Sequence, residues 1–509
     1  MAQGNRTVFT NSISSGIYPS FFQEELSQKD LTRMRKESTH WKFYLGNQWK
    51  SGKRSTEENR NTINYCKSFI DKGVAFLFGK GFQIDVKDAA RDVTLPVLNE
   101  VWEDNDKELK GLDIGQSGGV TGNAWVKVTV DEYDEEEEPD LAELYPQGRI
   151  KINVLPSYSV YPEWDAHDRD RMVKCKIMYP IITKRERGNG EVVKSKKLYK
   201  EVITRDTITE YIGEEKVRET ENPLNEIPVV RIKNLPHATS ALGLSDIEDI
   251  LPLQRELNYK STDISDIINY HAAPITIVQG AKARNLEKGS RKVWGGIPKD
   301  GKVYNLTLDS DLKAALNYIN LIKTSMFELA SMPEDAFGKE MNVSNTSGVA
   351  LHIKNQPLME VTRTKWKTYG NGIKDINRLI LKYAKYIDHP SFEQDAFNSL
   401  TPHEKYHSNV SFPDPLPKDE LVDMQLMVQK IKSMLMSRKD ALVKLGVPNP
   451  EEKLQEIMAE NKQIENLIYD GQYEDFDSYQ ELADALNLNI GGQLGAEEQV
   501  NPNDSSASE

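Results

Sequence analysis

Two cysteines, Cys66 and Cys175, are all that 509 residues contain. That excludes a disulfide framework and a cysteine-built zinc module, and it fits a reducing compartment. Long apolar runs are missing too. The best candidate, Val74-Ala75-Phe76-Leu77-Phe78, falls far short of the roughly 18 residues a membrane span needs. The start, Met1-Ala2-Gln3-Gly4-Asn5-Arg6, lacks the apolar core of a signal peptide. Secreted, membrane-embedded and collagen-like classes are thereby set aside. What is present suits a soluble protein of several domains: 57.9 kDa, 38% hydrophobic and 28% charged residues.

The net charge of −14 is unevenly spread. Residues 451–509 hold 15 acidic and 2 basic residues, so the first 450 are almost neutral. A second acidic block, 131–143, has 9 acidic residues and no base. Such blocks read first as solvated loops or tails. Between 281 and 302 the sign reverses: Lys282, Arg284, Lys288, Arg291, Lys292, Lys299 and Lys302 face only Glu287 and Asp300. That stretch is either an ordinary solvated loop or a surface for phosphates or an acidic partner.

Hydrophobic periodicity predicts helices over 24–46, 64–78 and 95–112, and strands over 82–86, 124–130, 150–155, 173–182, 197–203, 207–212 and 229–233. Gly188-Asn189-Gly190 marks a hairpin. Residues 30–235 thus form a mixed α+β unit. Ser245-Asp246-Ile247-Glu248 has capping-box form and predicts a helix to 270, bent early by Pro252. Short strands at 275–279 and 303–308 enclose the basic stretch. A return helix over 310–331 ends before Pro333. A polar segment, 333–345, lacks periodicity. A long helix follows over 347–387, with Pro357 predicting a kink. After Pro390 the chain reads as irregular up to a strand at 410–412 and a stiff connector with Pro413, Pro415 and Pro417. Helices are expected over 418–436 and 450–469, and disorder after about 489.

Three segments approach catalytic signatures. His403-Glu404-Lys405-Tyr406-His407 matches H-E-x-x-H, which needs both imidazoles one helical turn apart and the glutamate free to activate a metal-bound water. Pro402 and the strand at 410 leave little room for that helix, so a surface turn is expected. A metal-dependent hydrolase using His403, Glu404 and His407 stays as the alternative. Gly115-Gln116-Ser117-Gly118-Gly119 matches G-x-S-x-G, but the order is helix then strand, the reverse of a nucleophile elbow; it reads as glycine-rich helix termination. Gly73 to Gly79-Lys80-Gly81 misses the phosphate loop by one residue and lacks its Ser or Thr. No catalytic residue, metal or cofactor is expected.

The order of elements, with several local stretches, resembles the portal proteins of tailed double-stranded DNA phages, especially long-tailed phages of Gram-positive bacteria. The stretches are Asn64-Tyr65-Cys66-Lys67-Ser68-Phe69-Ile70-Asp71 leading to Gly79-Lys80-Gly81-Phe82, Gly243-Leu244-Ser245-Asp246, Asn345-Thr346-Ser347-Gly348-Val349-Ala350-Leu351, and Phe412-Pro413-Asp414-Pro415-Leu416-Pro417-Lys418-Asp419-Glu420. Together they cover about 40–475. The resemblance implies an α+β portal-type fold: an N-terminal region and wing over 1–242, stem helices over 243–272 and 309–331, a clip over 273–308, a tunnel loop over 332–346, a long kinked helix and return to the wing over 347–414, a helical crown over 415–475, and an acidic tail over 476–509.

It further implies a homo-oligomeric ring, twelve subunits in the virion, built in the bacterial cytoplasm. The ring passes double-stranded DNA without sequence preference during packaging and ejection. It meets terminase, head-tail adaptor, capsid and scaffolding proteins, and no membrane. On that resemblance Glu334, Asp335, Phe337, Lys339, Glu340, Asn342 and Asn345 face DNA. Lys282, Arg284, Lys288, Arg291, Lys292, Trp294, Lys299 and Lys302 serve adaptor docking or subunit contact, and Leu257, Ile264, Ile268, Leu316 and Ile319 build the stem. The charge pattern agrees: a channel lined with Lys and Arg would grip phosphate and slow its passage, and the loop's mixed charges would not.

Overall fold

The computed structural model describes residues 25–49, 60–134, 136–186, 192–272, 275–279, 300, 302–306, 312–337, 352–416, 420–445 and 453–459. They fall into two compact units, Met1–Pro417 and Lys418–Glu509.

In the first unit, α1 (Gln28–Tyr44) starts where the Ser27 hydroxyl accepts the Asp30 N–H. α2 (Tyr65–Phe78) is capped by Asn64. β1 (Gln83–Asp85) follows. The single helix expected over 95–112 is two, α3 (Asp88–Asp104) and α4 (Lys107–Thr121). The break has a polar cause. The Asn105 amide donates to the Val101 and Ile150 carbonyls and accepts the Ile152 N–H, and Asp106 takes a left-handed φ of 55°. The expectation that Gly115 to Gly119 end a helix is also corrected: they lie inside α4, which stops at Gly122 with φ +90°.

β2 (Asn123–Asp131) leads through α5 (Pro139–Leu144) to β3 (Arg149–Leu155), and the two strands pair. β9 (Val229–Lys233) joins the other side, giving an antiparallel sheet in the order β3-β2-β9. Between them the chain makes a five-stranded antiparallel meander: β4 (Val160–Trp164), β5 (Met172–Glu186), β6 (Val192–Ile203), β7 (Thr207–Ile212) and β8 (Glu215–Glu221). β5 and β6 pair as the hairpin signal predicts, though Gly188-Asn189-Gly190 itself lies outside the described residues. β8 has almost no apolar pattern because it is an exposed edge.

α6 (Leu251–Ala272) starts later than the capping-box pattern predicts. The Ser245 hydroxyl does not cap it but donates to the Gly119 and Val120 carbonyls. Pro252 sits in the first turn, where its missing N–H costs nothing and no bend results. β10 (Ile275–Gln279) and β11 (Lys302–Leu306) form an antiparallel ribbon, and α7 (Leu312–Leu329) returns.

α8 (Gln356–Ile387) is the spine. Residues 352–354 are helical and the break falls at Asn355, so Pro357 opens α8 instead of kinking it. Tyr369, Ile373, Ile376 and Ile380 on α8 form one core with Leu98, Trp102, Val126, Val128, Ile152 and Ile232. The stretch after Pro390, expected to be irregular, holds α9 (Gln394–Ser399) and α10 (Pro402–Tyr406). β12 (Asn409–Ser411) pairs with β1. In the second unit, α11 (Glu420–Lys432) matches expectation. α12 (Arg438–Lys444), opened by a Ser437/Asp440 capping box, does not. Residues 453–459 are helical.

Candidate stem, clip and loop surfaces

α6 and α7 pack on each other, and the β10–β11 ribbon joins their far ends. At the root, Leu257, Ile250, Ile322, Met326 and Phe327 are buried with Phe69 and Leu358. Away from the root the burial stops. Among the stem residues predicted from the sequence, Leu257 is 1% exposed, whereas Ile268 is 53% and Leu316 52% exposed. Ile319 packs against the root cluster, and Ile264 is half-buried. Tyr318, Leu321 and Leu329 add an exposed apolar stripe on α7, at helical spacing. The five predicted residues therefore divide: some close the root, others stand uncovered.

A second set on α6 escaped the reading of apolar positions. Gln254, Asn258 and Thr262 recur every four residues and are buried. Gln254 Oε1 accepts the Tyr65 N–H at 3.0 Å and the Cys66 N–H at 3.3 Å, supplying two of the orphan donors at the start of α2. Asn258 Oδ1 accepts the Ile63 N–H, and Thr262 Oγ1 the Asn61 N–H. A stripe of amide and hydroxyl side chains at helical spacing was the available signal. It ties residues 61–66 to α6.

The segment Gly243-Leu244-Ser245-Asp246 meets α4 and α8 at a buried polar node. Lys365 Nζ lies 2.6 Å from Asp246 Oδ2. Asn234 donates its amide to Asp246 Oδ1, and its Oδ1 accepts the Tyr369 hydroxyl at 2.9 Å. A Cβ on Gly118 would stand 2.0 Å from that hydroxyl. Burial, then the Asp246 carboxylate, pushes the Tyr369 phenol well up. Gly118 and Gly119 of the G-x-S-x-G stretch thus make room for this node, whereas Gly115 makes room for Phe78 and Val74.

Of the residues expected to line a tunnel loop, Glu334 and Phe337 are on a short 3-10 turn. Glu334 pairs with Lys323 at 2.8 Å. Phe337 is drawn toward the root, with its ring 5.6 Å from Phe327 and 6.0 Å from Phe69. Asp335 falls on the same turn. Lys339, Glu340, Asn342 and Asn345 lie outside the described residues, as do Lys282, Arg284, Lys288, Arg291, Lys292, Trp294 and Lys299. Lys302 opens β11 opposite Gln279, with its side chain exposed.

Residues 26–467 match the family described as "Phage portal protein, SPP1 Gp6-like". The chain belongs to that family. A portal protein is a structural part of the virion, found at a capsid vertex, and the match spans the described helices and strands of both units. No curated protein sequence matches the chain. Among similar solved structures is one titled "Virion of native gene transfer agent (GTA) particle", 12% identical, covering 83% of this chain and 94% of that one at a TM-score of 0.39. The family match alone carries the assignment.

The catalytic look-alikes of this portal chain are committed elsewhere. The Glu404 carboxylate closes a capping box with Thr401, accepting its N–H and hydroxyl at 3.0 and 2.6 Å. α10 is five residues long, and His407 lies past its end in extended backbone. The His403 and His407 rings stack 5.1 Å apart, and Lys87 Nζ approaches His403 at 3.2 Å. Loss of water, then His403 and Lys87, hold the His407 imidazole below its ordinary range. Among the described residues no cluster of His, Cys, Asp or Glu suits a metal ion. The hydrolase alternative therefore finds no support. Lys80 of the near-miss phosphate loop donates to the Asp414 carbonyl. No helix among the described residues is long and apolar enough to cross a membrane.

Proposed function

We propose that this portal chain closes into a ring of twelve at one capsid vertex and forms the channel for double-stranded DNA in packaging and ejection. The observation that carries this reading is the exposed apolar surface of the arm, α6 and α7. Tyr318, Leu321 and Leu329 stand uncovered along one face of α7, with Leu316 on another face and Ile268 on α6, and grouped exposed apolar side chains mark an interaction site. In a ring, α6 and α7 of neighbouring copies cover one another and make the tube wall. The β10–β11 ribbon with 280–301 then forms the clip for tail-side adaptor proteins, and Trp294 among its basic residues suits an anchor. Residues 338–346 reach toward DNA as the tunnel loop, with Phe337 as its root. Helices of the second unit form the crown, and the wing meets capsid and terminase. Assembly takes place in the host cytoplasm.

Light scattering on a sizing column tests the ring. Twelve copies of 57.9 kDa amount to about 0.7 MDa, as closed symmetric assembly requires. A stable monomer at all concentrations counts against it. The loop is tested by removing 339–345 while keeping Phe337. Rings should persist and packaging should fail; normal packaging by that protein sinks the DNA-facing role.

A further inference from the structure

Two strongly charged surfaces of the wing carry exposed residues that hold no ion pair among the described residues. The first is the outer half of the β5–β6 ribbon. β4 reaches only to Ile177 and β7 only to Tyr199, the partner of Tyr179, so from Pro180 to Glu186 the ribbon is two-stranded. That is about 23 Å of free ribbon at roughly 3.3 Å per residue, and a lone two-stranded ribbon is marginal in water. Residues 181–197 hold six basic residues, Lys184, Arg185, Arg187, Lys194, Lys196 and Lys197, against two acidic. Lys184 stands directly opposite Lys194, and Lys196 opposite Ile182, so alternation puts all four on one face. Like charges directly opposed across a ribbon destabilise it. Nearer the body the lysines are answered: Lys176 pairs with Glu163 and Lys200 with Glu25. Further out, Lys196 and Lys197 are exposed and hold no ion pair among the described residues.

The second surface is the link between β2 and β3. Residues 132–143 carry eight acidic residues and no base. Glu132, Glu136, Glu137 and Glu138 are exposed and likewise unpaired among the described residues. Each surface also has a large exposed apolar side chain, Ile182 at 43% on the ribbon and Leu144 at 65% beside the acids.

We propose that the lysine face of the β5–β6 ribbon docks on the 132–143 segment of the next copy, forming an outer wing-to-wing contact. This rests on the ring reading above. A cyclic ring needs a heterologous interface, in which one patch meets a different patch on the neighbour. Each copy offers one patch of each sign, so every contact is satisfied once around the circle. Opposed patches with apolar centres and charged rims fix register and partner. The occupant is a second copy of this chain.

The test uses the full chain and charge exchange. The ribbon variant is Lys194→Glu with Lys196→Glu; the segment variant is Glu136→Lys with Glu137→Lys. Each alone should raise the concentration for half-assembly about tenfold at low salt, and less at high salt. Combined in one chain they should restore assembly to near the parent value. A disulfide gives independent proof. A Lys196→Cys copy mixed with a Glu137→Cys copy should form an oxidised mixed dimer, which neither variant forms by itself. Cys66 and Cys175 do not interfere, since both are buried with thiols pushed up to about 12.

Parent rings that neither reversal disturbs overturn the contact and leave the ring standing. A disulfide that forms within one chain carrying both cysteines, and not between chains, also overturns it. So does a ribbon reversal that weakens retention of double-stranded DNA without altering assembly, which points to DNA as the occupant. A parent protein that is monomeric throughout fails the ring reading as well, and is recognised before any variant is made.

Discussion

The body around α8 and the arm made of α6, α7 and the β10–β11 ribbon are built on opposite plans. In the body, apolar side chains from eight elements meet in one core, and several of its polar groups find partners within the chain: Trp102 Nε1 donates to Asn377, Lys365 pairs with Asp246, and Tyr369 bonds Asn234. In the arm, burial is confined to the root, and the outer turns carry leucine, isoleucine and tyrosine to the surface. The body is finished within one subunit. On the ring proposed above, the arm is finished by its neighbours. Substitutions in the two regions should therefore register in different measurements.

The largest effect is expected at the node. Lys365→Ala leaves the half-buried Asp246 carboxylate without its cation and should cost about 3 kcal/mol, read as a lowered denaturant midpoint of the body. Gly118→Ala places a methyl group where the Tyr369 hydroxyl lies and should cost about 1–3 kcal/mol by overpacking. Unfolding calorimetry separates it from Gly81→Ala, whose added Cβ has nothing within 4 Å and where only the positive φ is at stake. Gln254→Leu strands the Tyr65 and Cys66 N–H groups and should cost about 1–3 kcal/mol. Hydrogen exchange at those two amides should rise with it. Smallest for the single subunit, Leu316→Ser and Leu321→Ser should stay within about 0.5 kcal/mol of the parent on unfolding, while ring yield by light scattering falls. If instead they weaken the subunit and spare the ring, the contrast between body and arm is wrong.

Acid should reach the body through His40. It is buried, its Nδ1 lies 3.0 Å from the Val120 carbonyl, and burial lowers its pKa from the ordinary 6.5. The unfolded chain keeps the ordinary value and takes up the proton first. Stability is then full above about 6.5 and declines as pH falls from there toward the lowered folded value. His40→Gln should flatten that decline in urea midpoints between pH 8 and 5.

Much of this was legible in the residues. β2, β3, β9 and the β5–β6 hairpin alternate clearly, and α2 fills the 64–78 span that its periodicity predicts. The resemblance of short stretches in order pointed to the family later matched. The misses share a cause: the deciding partner is far away in sequence. The 95–112 pattern continues through Asn105, and only β3 makes that side chain end the helix. Ser245 has capping form, but α4 carbonyls claim its hydroxyl. Gly118 and Gly119 read as a helix stop until Tyr369 is placed over the first and Asp246 over the second. On the arm, apolar periodicity found the helices but not which side chains stay uncovered, because an isolated helix pattern does not distinguish a face covered by the same chain from one covered by another.

The β1–β12 pairing and the Trp102–Asn377 bond have a consequence for synthesis. The body's N-terminal half lacks its spine until α8 has been made, some 275 residues after Trp102. At about 5–20 residues per second the ribosome leaves Leu98, Trp102 and Ile152 without their final cover for roughly 15–55 s. Nascent chains stalled before α8 should therefore be protease-sensitive and held by chaperones. Because the arm is translated within that interval, its own sticky face exists before the body that carries it is closed, so subunits joining early would join half-made.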